Sequence, residues 1–262
     1  LYMKGWAQFK RGDYELALKS FAGVLDQLIG HAMGPQDVDA ALTDIGPSKA
    51  NLVKDTLRVM GLSLSYLEGA KSISDLQIEL GNRRPYEFLL YQQLGQLYLE
   101  QKRFTDSAET YQHFVKNNPN SDFAPSFSIK VIDVYQQGDF PSLILPAKQD
   151  FVERYGISSS YWTERKGAIG DNALAYLHQS LQELAQYEHA QAQSLKISNK
   201  SESTVAFARA AKWYREFVQT FAKDVQVAEM TFLLAESLNE AGDLVPAMEA
   251  YEQVAYGYLD QL

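Results

Sequence analysis

Residues Phe88 to Ser121 read FLLYQQLGQLYLEQKRFTDSAETYQHFVKNNPNS, and this stretch decides the fold. Leu90, Leu94, Leu97 and Tyr98 recur at spacings of three and four, which places them in one apolar stripe on a helix. Gly95 stands inside that stripe, where a glycine costs about 1 kcal/mol relative to alanine. Its presence there predicts close approach of a neighbouring helix. After the turn Gln101-Lys102-Arg103, the residues Phe104, Ala108, Tyr111, Phe114 and Val115 mark the buried face of a second helix. Asn117-Asn118-Pro119 ends it, because proline drives the residue before it out of helical geometry and asparagine tolerates a left-handed cap.

The same plan recurs on both sides. Gly61 precedes Gly95 by 34 residues, Pro85 precedes Pro119 by the same step, and Phe140 follows Phe104 by 36. Upstream, Tyr2, Gly5, Trp6 and Phe9 lead through Gly12-Asp13-Tyr14 to Ala17, Leu18 and Phe21. In that turn Gly12 suits the positive φ of a helix C-cap and Asp13 suits an N-cap. From His31 to Lys49 the periodicity lapses around Gly34-Pro35 and Gly46-Pro47, which reads as an insertion. Asn51 to Tyr66 resumes a stripe, whereas the segment Ser72 to Leu80 that should pair with it is short and irregular.

Downstream, Val131, Ile132, Val134 and Tyr135 precede Gly138-Asp139-Phe140 and a helix through Leu143, Ala147 and Phe151. Pro141 suits the first turn of that helix, while Pro146 lies deeper and is expected to kink it. A helix is expected from about Tyr161 to Gln193, then an exposed loop SLKISNKSES at Ser194 to Ser203, then a helix from Val205 to Phe221. Ala235, Leu238, Gly242-Asp243-Leu244, Ala247, Tyr251 and Val254 repeat the plan once more.

Leu94, Gly95, Tyr98, Phe104, Ser107, Tyr111 and Pro119 together resemble the tetratricopeptide repeat, with Ser107 where alanine is usual. The resemblance implies an all-α, right-handed superhelical solenoid of antiparallel helix pairs. About six units are expected, at 1–31, 51–87, 88–121, 124–157, 161–223 and 228–262, the second degenerate. The insertions 31–49 and 194–203 are expected outside the stack. A looser similarity, carried by GWAQFKRGDYELALKSF and the abundant aromatics, links the chain to bacterial envelope proteins with such repeats. It implies a periplasmic or outer-membrane-associated location. The chain begins inside a helix and ends without a polar capping helix, so a fragment of a longer protein is expected, in contact with further repeats of its own chain.

Several function classes lack their residues. A formal charge of −9 with scattered Lys and Arg argues against a nucleic-acid surface. No apolar run approaches the roughly 18 residues that span a bilayer. There is no cysteine, and His178 and His189, eleven residues apart on one helix, lie about 16 Å from each other. No zinc spacing, phosphate-binding loop or nucleophile elbow appears, and Gly167 and Gly170 lack the preceding strand such a loop needs. No cofactor or metal is therefore expected. Carboxylate pairs such as Asp150 with Glu153 and Glu236 with Glu240 are ordinary on solvated helices, and an enzyme of glycoside-hydrolase type is the minor alternative.

The implied architecture offers a concave groove lined by the first helix of each pair. Positions there that point away from the partner helix are Trp6, Phe9, Gln92, Gln96, Leu99, Ser128, Ile132, Tyr135, Phe232, Glu236 and Asn239. Ile132 and Phe232 are expected instead to cover a neighbouring repeat. The mixture of amide, aromatic and carboxylate groups suits an extended peptide or an amphipathic helix. A non-catalytic scaffold binding a protein or peptide is the resulting expectation. The alternatives are a glycan or small-molecule binding module, or a stacking segment of a larger envelope assembly protein.

Overall fold

The computed structural model describes residues 1–163 and 170–258. The apolar stripes lie on helices throughout, and no strand occurs among the described residues. The chain divides into two compact units, Leu1–Ile144 and Leu145–Leu262.

The first unit contains α1 (Tyr2–Lys10), α2 (Tyr14–Ile29), α3 (Val38–Asp44), α4 (Gly46–Ser65), α5 (Ala70–Glu79), α6 (Glu87–Glu100), α7 (Phe104–Asn117), α8 (Ala124–Gln137) and the start of α9 (Pro141–Tyr155). Packing follows chain order, with α1 on α2, α2 on α4, α4 on α6, α6 on α7 and α7 on α8. The second unit holds the rest of α9, α10 (Ser160–Thr163), α11 (Asp171–Leu195), α12 (Lys200–Thr220), α13 (Val227–Ala241) and α14 (Leu244–Glu252), closed by a π-helical turn at Gln253–Gly257. Here α11 packs on α12, α12 on α13 and α13 on α14. Each unit is thus a solenoid-like series of helical hairpins. The hairpin expected at 124–157 is divided by the boundary, which falls inside α9.

Gly95 does what its position predicts. A Cβ there would overlap the ring of Tyr111 on α7, and the Ser107 hydroxyl donates to the Gly95 carbonyl at 2.8 Å within the buried interface. The small residue thus lets the second helix close down on the first, and a hydroxyl at the preceding turn fixes the register. In the first hairpin Gly5 lies under Phe21, whose ring would sit 2.7 Å from an added Cβ. The fifth pair uses Ala192, whose carbonyl accepts from Ser203 Oγ at 2.8 Å, with Phe207 packed against it. Its register is therefore anchored at Ala192, a residue that the leucine stripe did not single out.

The connections differ more from expectation than the hairpins do. The segment 31–49 is not a free insertion. Pro35 opens a tight turn, the Asp37 carboxylate accepts from Gly34 N–H at 3.1 Å, and α3 follows with Val38 and Ala41 buried against α2 and α4. Pro47 occupies the first turn of α4, where a missing N–H is tolerated, so this proline begins a helix rather than breaking one. The expected loop 194–203 shrinks to 196–199, because α11 runs on to Leu195 and the Asn199 side chain caps α12 by accepting from Glu202 N–H at 3.2 Å. The segment expected to be short and irregular forms the 10-residue helix α5, with Ile73, Leu76 and Gln77 on its buried side.

The single helix expected from Tyr161 to Gln193 is not found. Gly170 is extended at φ −66° and ψ 148° and starts α11, while α10 ends at Thr163. Residues 164–169, including Gly167, lie outside the described residues. Helix α9 is continuous through Pro146.

Adding a side chain at Gly95 tests the packing. Gly95→Ala should lower stability by about 1–3 kcal/mol through overpacking against Tyr111, although alanine alone favours a helix by about 1 kcal/mol. Gly95→Leu should cost more. In a Tyr111→Leu background the Gly95→Ala penalty should shrink, because the ring it strikes is gone. Urea midpoints of the four proteins read this coupling directly, and equal penalties in the two backgrounds would contradict it.

Candidate functional site

Helix α6 separates its two faces cleanly. Phe88, Leu90, Tyr91, Leu94, Gly95 and Tyr98 are buried, whereas Gln92, Gln96 and Glu100 are exposed at spacings of four. Gln96 Nε2 donates to Glu100 Oε1 at 3.1 Å, and Leu99 is half-buried beside this row. The neighbouring first helix is α4, brought close where Gly61 meets Gln93, whose Cγ would lie 2.9 Å from an added Cβ. Its outer row presents Lys54 and Arg58, the latter donating to Asp55 at 2.7 Å across an exposed ion pair. Such a pair contributes little stability and is free to exchange partners.

An aromatic chain continues the surface. Trp6 and Phe9 meet edge-to-face at 5.8 Å, Phe9 approaches Tyr66 at 6.4 Å, and Tyr66 stacks on Tyr14 at 4.8 Å. Trp6 also touches the core ring Phe21 at 6.5 Å, so it is partly used in packing α1 on α2. Tyr66, at the end of α4, is 60% exposed and gives the chain its open end. Neither Tyr14 nor Tyr66 stood among the expected surface positions. Tyr14 follows the Gly12-Asp13 turn and carried that signal.

The remaining positions divide. Ser128 and Ile132 are both buried, because α8 is covered on most of its circumference, with Phe127, Ile129, Val131 and Val134 also inside. Ser128 is thus corrected from a surface position to a packing one. Tyr135 is half-buried, and its hydroxyl accepts from Gln112 Nε2 of α7 at 3.0 Å. In the second unit, α13 exposes Asn239 and leaves Glu236 half-buried, where its carboxylate accepts from the Tyr251 hydroxyl. Phe232, expected to cover a neighbour, is 45% exposed, with the Tyr251 ring 6.1 Å away.

Two histidines report the interior. Burial holds His113 below the usual imidazole range, with the Lys116 charge acting in the same direction and Asp75 opposing. Burial does the same for His189, opposed by Glu236 and Glu240. His189 lies against Phe207 and Tyr214 of α12, with its Nδ1 3.3 Å from Ser237 Oγ of α13. Burial and the Glu236 carboxylate together push the Tyr251 phenol up to about 12. Among the described residues no helix is long and apolar enough to cross a membrane.

The tetratricopeptide repeat family matches the chain at residues 1–27 and 90–121. These segments hold the Gly5–Phe21 and Gly95–Tyr111 crossings. No curated protein matches. Among solved structures, BtubC (BKLC) from P. vanneervenii is similar at 14% identity over 88% of this chain and 89% of that one, with a TM-score of 0.27. A score that low carries no argument.

The histidines make acid stability testable. Their folded-state pKa values lie below that of the unfolded chain, so between the two values the unfolded state binds more protons. Stability is then fully present above about pH 6.5 and is lost as the pH falls through the window below it. The urea midpoint should drop on acidification across that window, and the double variant His113→Gln with His189→Gln should show a shallower drop. An unchanged slope in the double variant would remove these two residues from the account.

Proposed function

The chain is a tetratricopeptide-repeat protein, and we propose that it is a non-catalytic scaffold whose first unit binds a protein segment along the outer rows of α4 and α6. Repeats of this family mediate interactions between proteins. The observation that carries the reading is the row Gln92, Gln96 and Glu100, exposed on a helix whose other side is wholly committed to the core. Amides at that spacing offer donors and acceptors to an extended backbone or to the polar flank of an amphipathic helix. Leu99 and Tyr66 add apolar contact beside them, and Arg58 adds a charge held only by a weak exposed pair. Trp6 and Phe9 support Tyr66 from behind, and Tyr135 extends the set to α8. In the second unit the corresponding positions Glu236 and Asn239, with the exposed Phe232, form a separate candidate contact on α13.

A photo-crosslinking residue placed at Gln96 or Tyr66 should yield discrete adducts with a protein partner in native extract. The same group at Glu109, exposed on the second helix α7, should not. Combined Arg58→Glu and Gln96→Lys should weaken capture of that partner by about tenfold or more, the usual cost of reversing charge and polarity inside a contact. Identical adducts from Glu109, or undiminished capture by the double variant, would move the binding surface elsewhere.

A further inference from the structure

The contact between α7 and α8 shows how one hairpin seats on the next. On α7, Tyr111 and Phe114 receive the Phe127 ring of α8 at 5.6 and 4.1 Å. Lys130 Nζ lies 5.7 Å from the centre of the Tyr111 ring, and Gln112 Nε2 donates to the Tyr135 hydroxyl at 3.0 Å. The receiving face is closed. Ala108 is 1% exposed, and Leu18, which holds the same repeat position on α2, is buried as well.

Both halves of this contact recur with open faces. Helix α14 follows α7 at a step of 140 residues, which sets Ala235 with Gly95, Ala247 with Ser107 and Tyr251 with Tyr111. Met248 then holds the position of Ala108, yet it is 63% exposed, with Leu244 and Val245 also exposed on that helix and Glu252 in the place of Gln112. Helix α1 precedes α8 by 126 residues, aligned through the turns Gly12-Asp13-Tyr14 and Gly138-Asp139-Phe140. Leu1 thereby takes the position of Phe127 and Lys4 that of Lys130. Phe127 is buried, whereas Leu1 is 56% exposed and Lys4 is exposed beside it.

The two open faces carry opposite charge. Residues 225–258, which include α13 and α14, contain Glu229, Glu236, Glu240, Asp243, Glu249 and Glu252 and no Lys, Arg or His. Residues 1–12 contain Lys4, Lys10 and Arg11 and no acid. Glu236 and Glu240 are engaged by Tyr251 and Lys196, while Glu249 and Glu252 are exposed on α14, as Lys4 and Lys10 are on α1. An exposed apolar patch marks an interaction surface, and charge of one sign around it selects a partner of the other sign.

We propose that α14 of one molecule receives α1 of a second copy as α7 receives α8, with Leu1 beside Tyr251, Lys4 over that ring and against Glu252, and Met248 covered. A lysine over an aromatic face with a carboxylate beside it gains from both. The contact is heterologous, because it joins two different surfaces and every molecule offers one of each. It is independent of the α4 and α6 rows.

Sedimentation velocity of the 262-residue chain at low salt should show concentration-dependent association, with Kd on the order of 100 μM for a contact of one helix pair, weakening as salt screens the charges. This measurement needs no variant to fold. Lys4→Glu and Glu252→Lys, both at exposed positions, should each weaken association by about tenfold or more, because like charges then meet. An equimolar mixture of the two variants should associate again, since each supplies the charge that the other lacks. A chain that stays monomeric at about 1 mM would overturn the second copy as the occupant. So would a Lys4→Glu protein that associates like the parent, which would set α14 against α14 or some other surface, or a mixture that associates no better than either folded variant alone. Saturable binding of a synthetic Leu/Lys amphipathic helix to a chain that stays monomeric would give the α14 face to a foreign basic helix instead.

Discussion

The structure depends on one close approach, the crossing of α6 and α7 at Gly95. The Tyr111 ring fills the space a side chain would need, and the Ser107 hydroxyl donates across the interface to the Gly95 carbonyl. A ring packed on bare backbone gains dispersion contacts along its whole face. The hydroxyl makes sliding by one residue costly, because a buried donor would then lose its acceptor. Together they set both distance and register for the hairpin. Gly5 with Phe21 and Ala192 with Ser203 and Phe207 are variants of the same crossing. The alanine version adds a methyl and accommodates it with a different spacing: Ser203 follows Ala192 by eleven residues, where Ser107 follows Gly95 by twelve.

Stacking of one hairpin on the next uses a different device. Tyr86, buried just before α6, donates its hydroxyl to Asp26 Oδ1 at 2.6 Å and lies 3.2 Å from the Ala22 carbonyl on α2. Arg84 Nε meets the same carboxylate at 3.0 Å. Burial and the Asp26 carboxylate drive the Tyr86 phenol far above its ordinary range, so it acts only as a neutral donor. This cluster joins the start of the third hairpin to the first across the intervening α3 to α5. Its three polar groups are mutually satisfied, which is the condition under which buried polarity specifies an arrangement rather than weakening it.

The two kinds of device differ in how they register in sequence. A glycine inside an apolar stripe with a ring sixteen residues on is a local signal shared by Gly5 and Gly95, whereas Gly61 has Gln77 at that distance and was readable from its 34-residue step to Gly95. The left-handed turn between paired helices was readable at Gly12 and Gly242, where φ is 83° and 91°. It was hidden at Lys102, a lysine held at φ 59° by the helices on either side of it. Helix α3 was missed because its buried face is only Val38 and Ala41, too few positions to show a period. Pro35 and Pro47 looked like breaks because a proline in the first turn of a helix and a proline in a loop leave the same mark.

Surface chemistry was legible only where one helix supplies it. Gln92, Gln96 and Glu100 follow a spacing of four on α6, and the spacing alone places them together. Ser128 occupies the same repeat position as Gln92 and is buried, because α8 is packed around most of its circumference and repeat position does not encode neighbour count. Gln77, Glu87 and His113 share no spacing. They come from α5, α6 and α7, and meet only because Gly95 allows α7 to close on α6 while α5 contacts both. Residues of this kind look in sequence like ordinary polar positions on amphipathic helices. What distinguishes Gln77 is burial combined with an unmet donor, a property of the packed hairpins and not of any one of them.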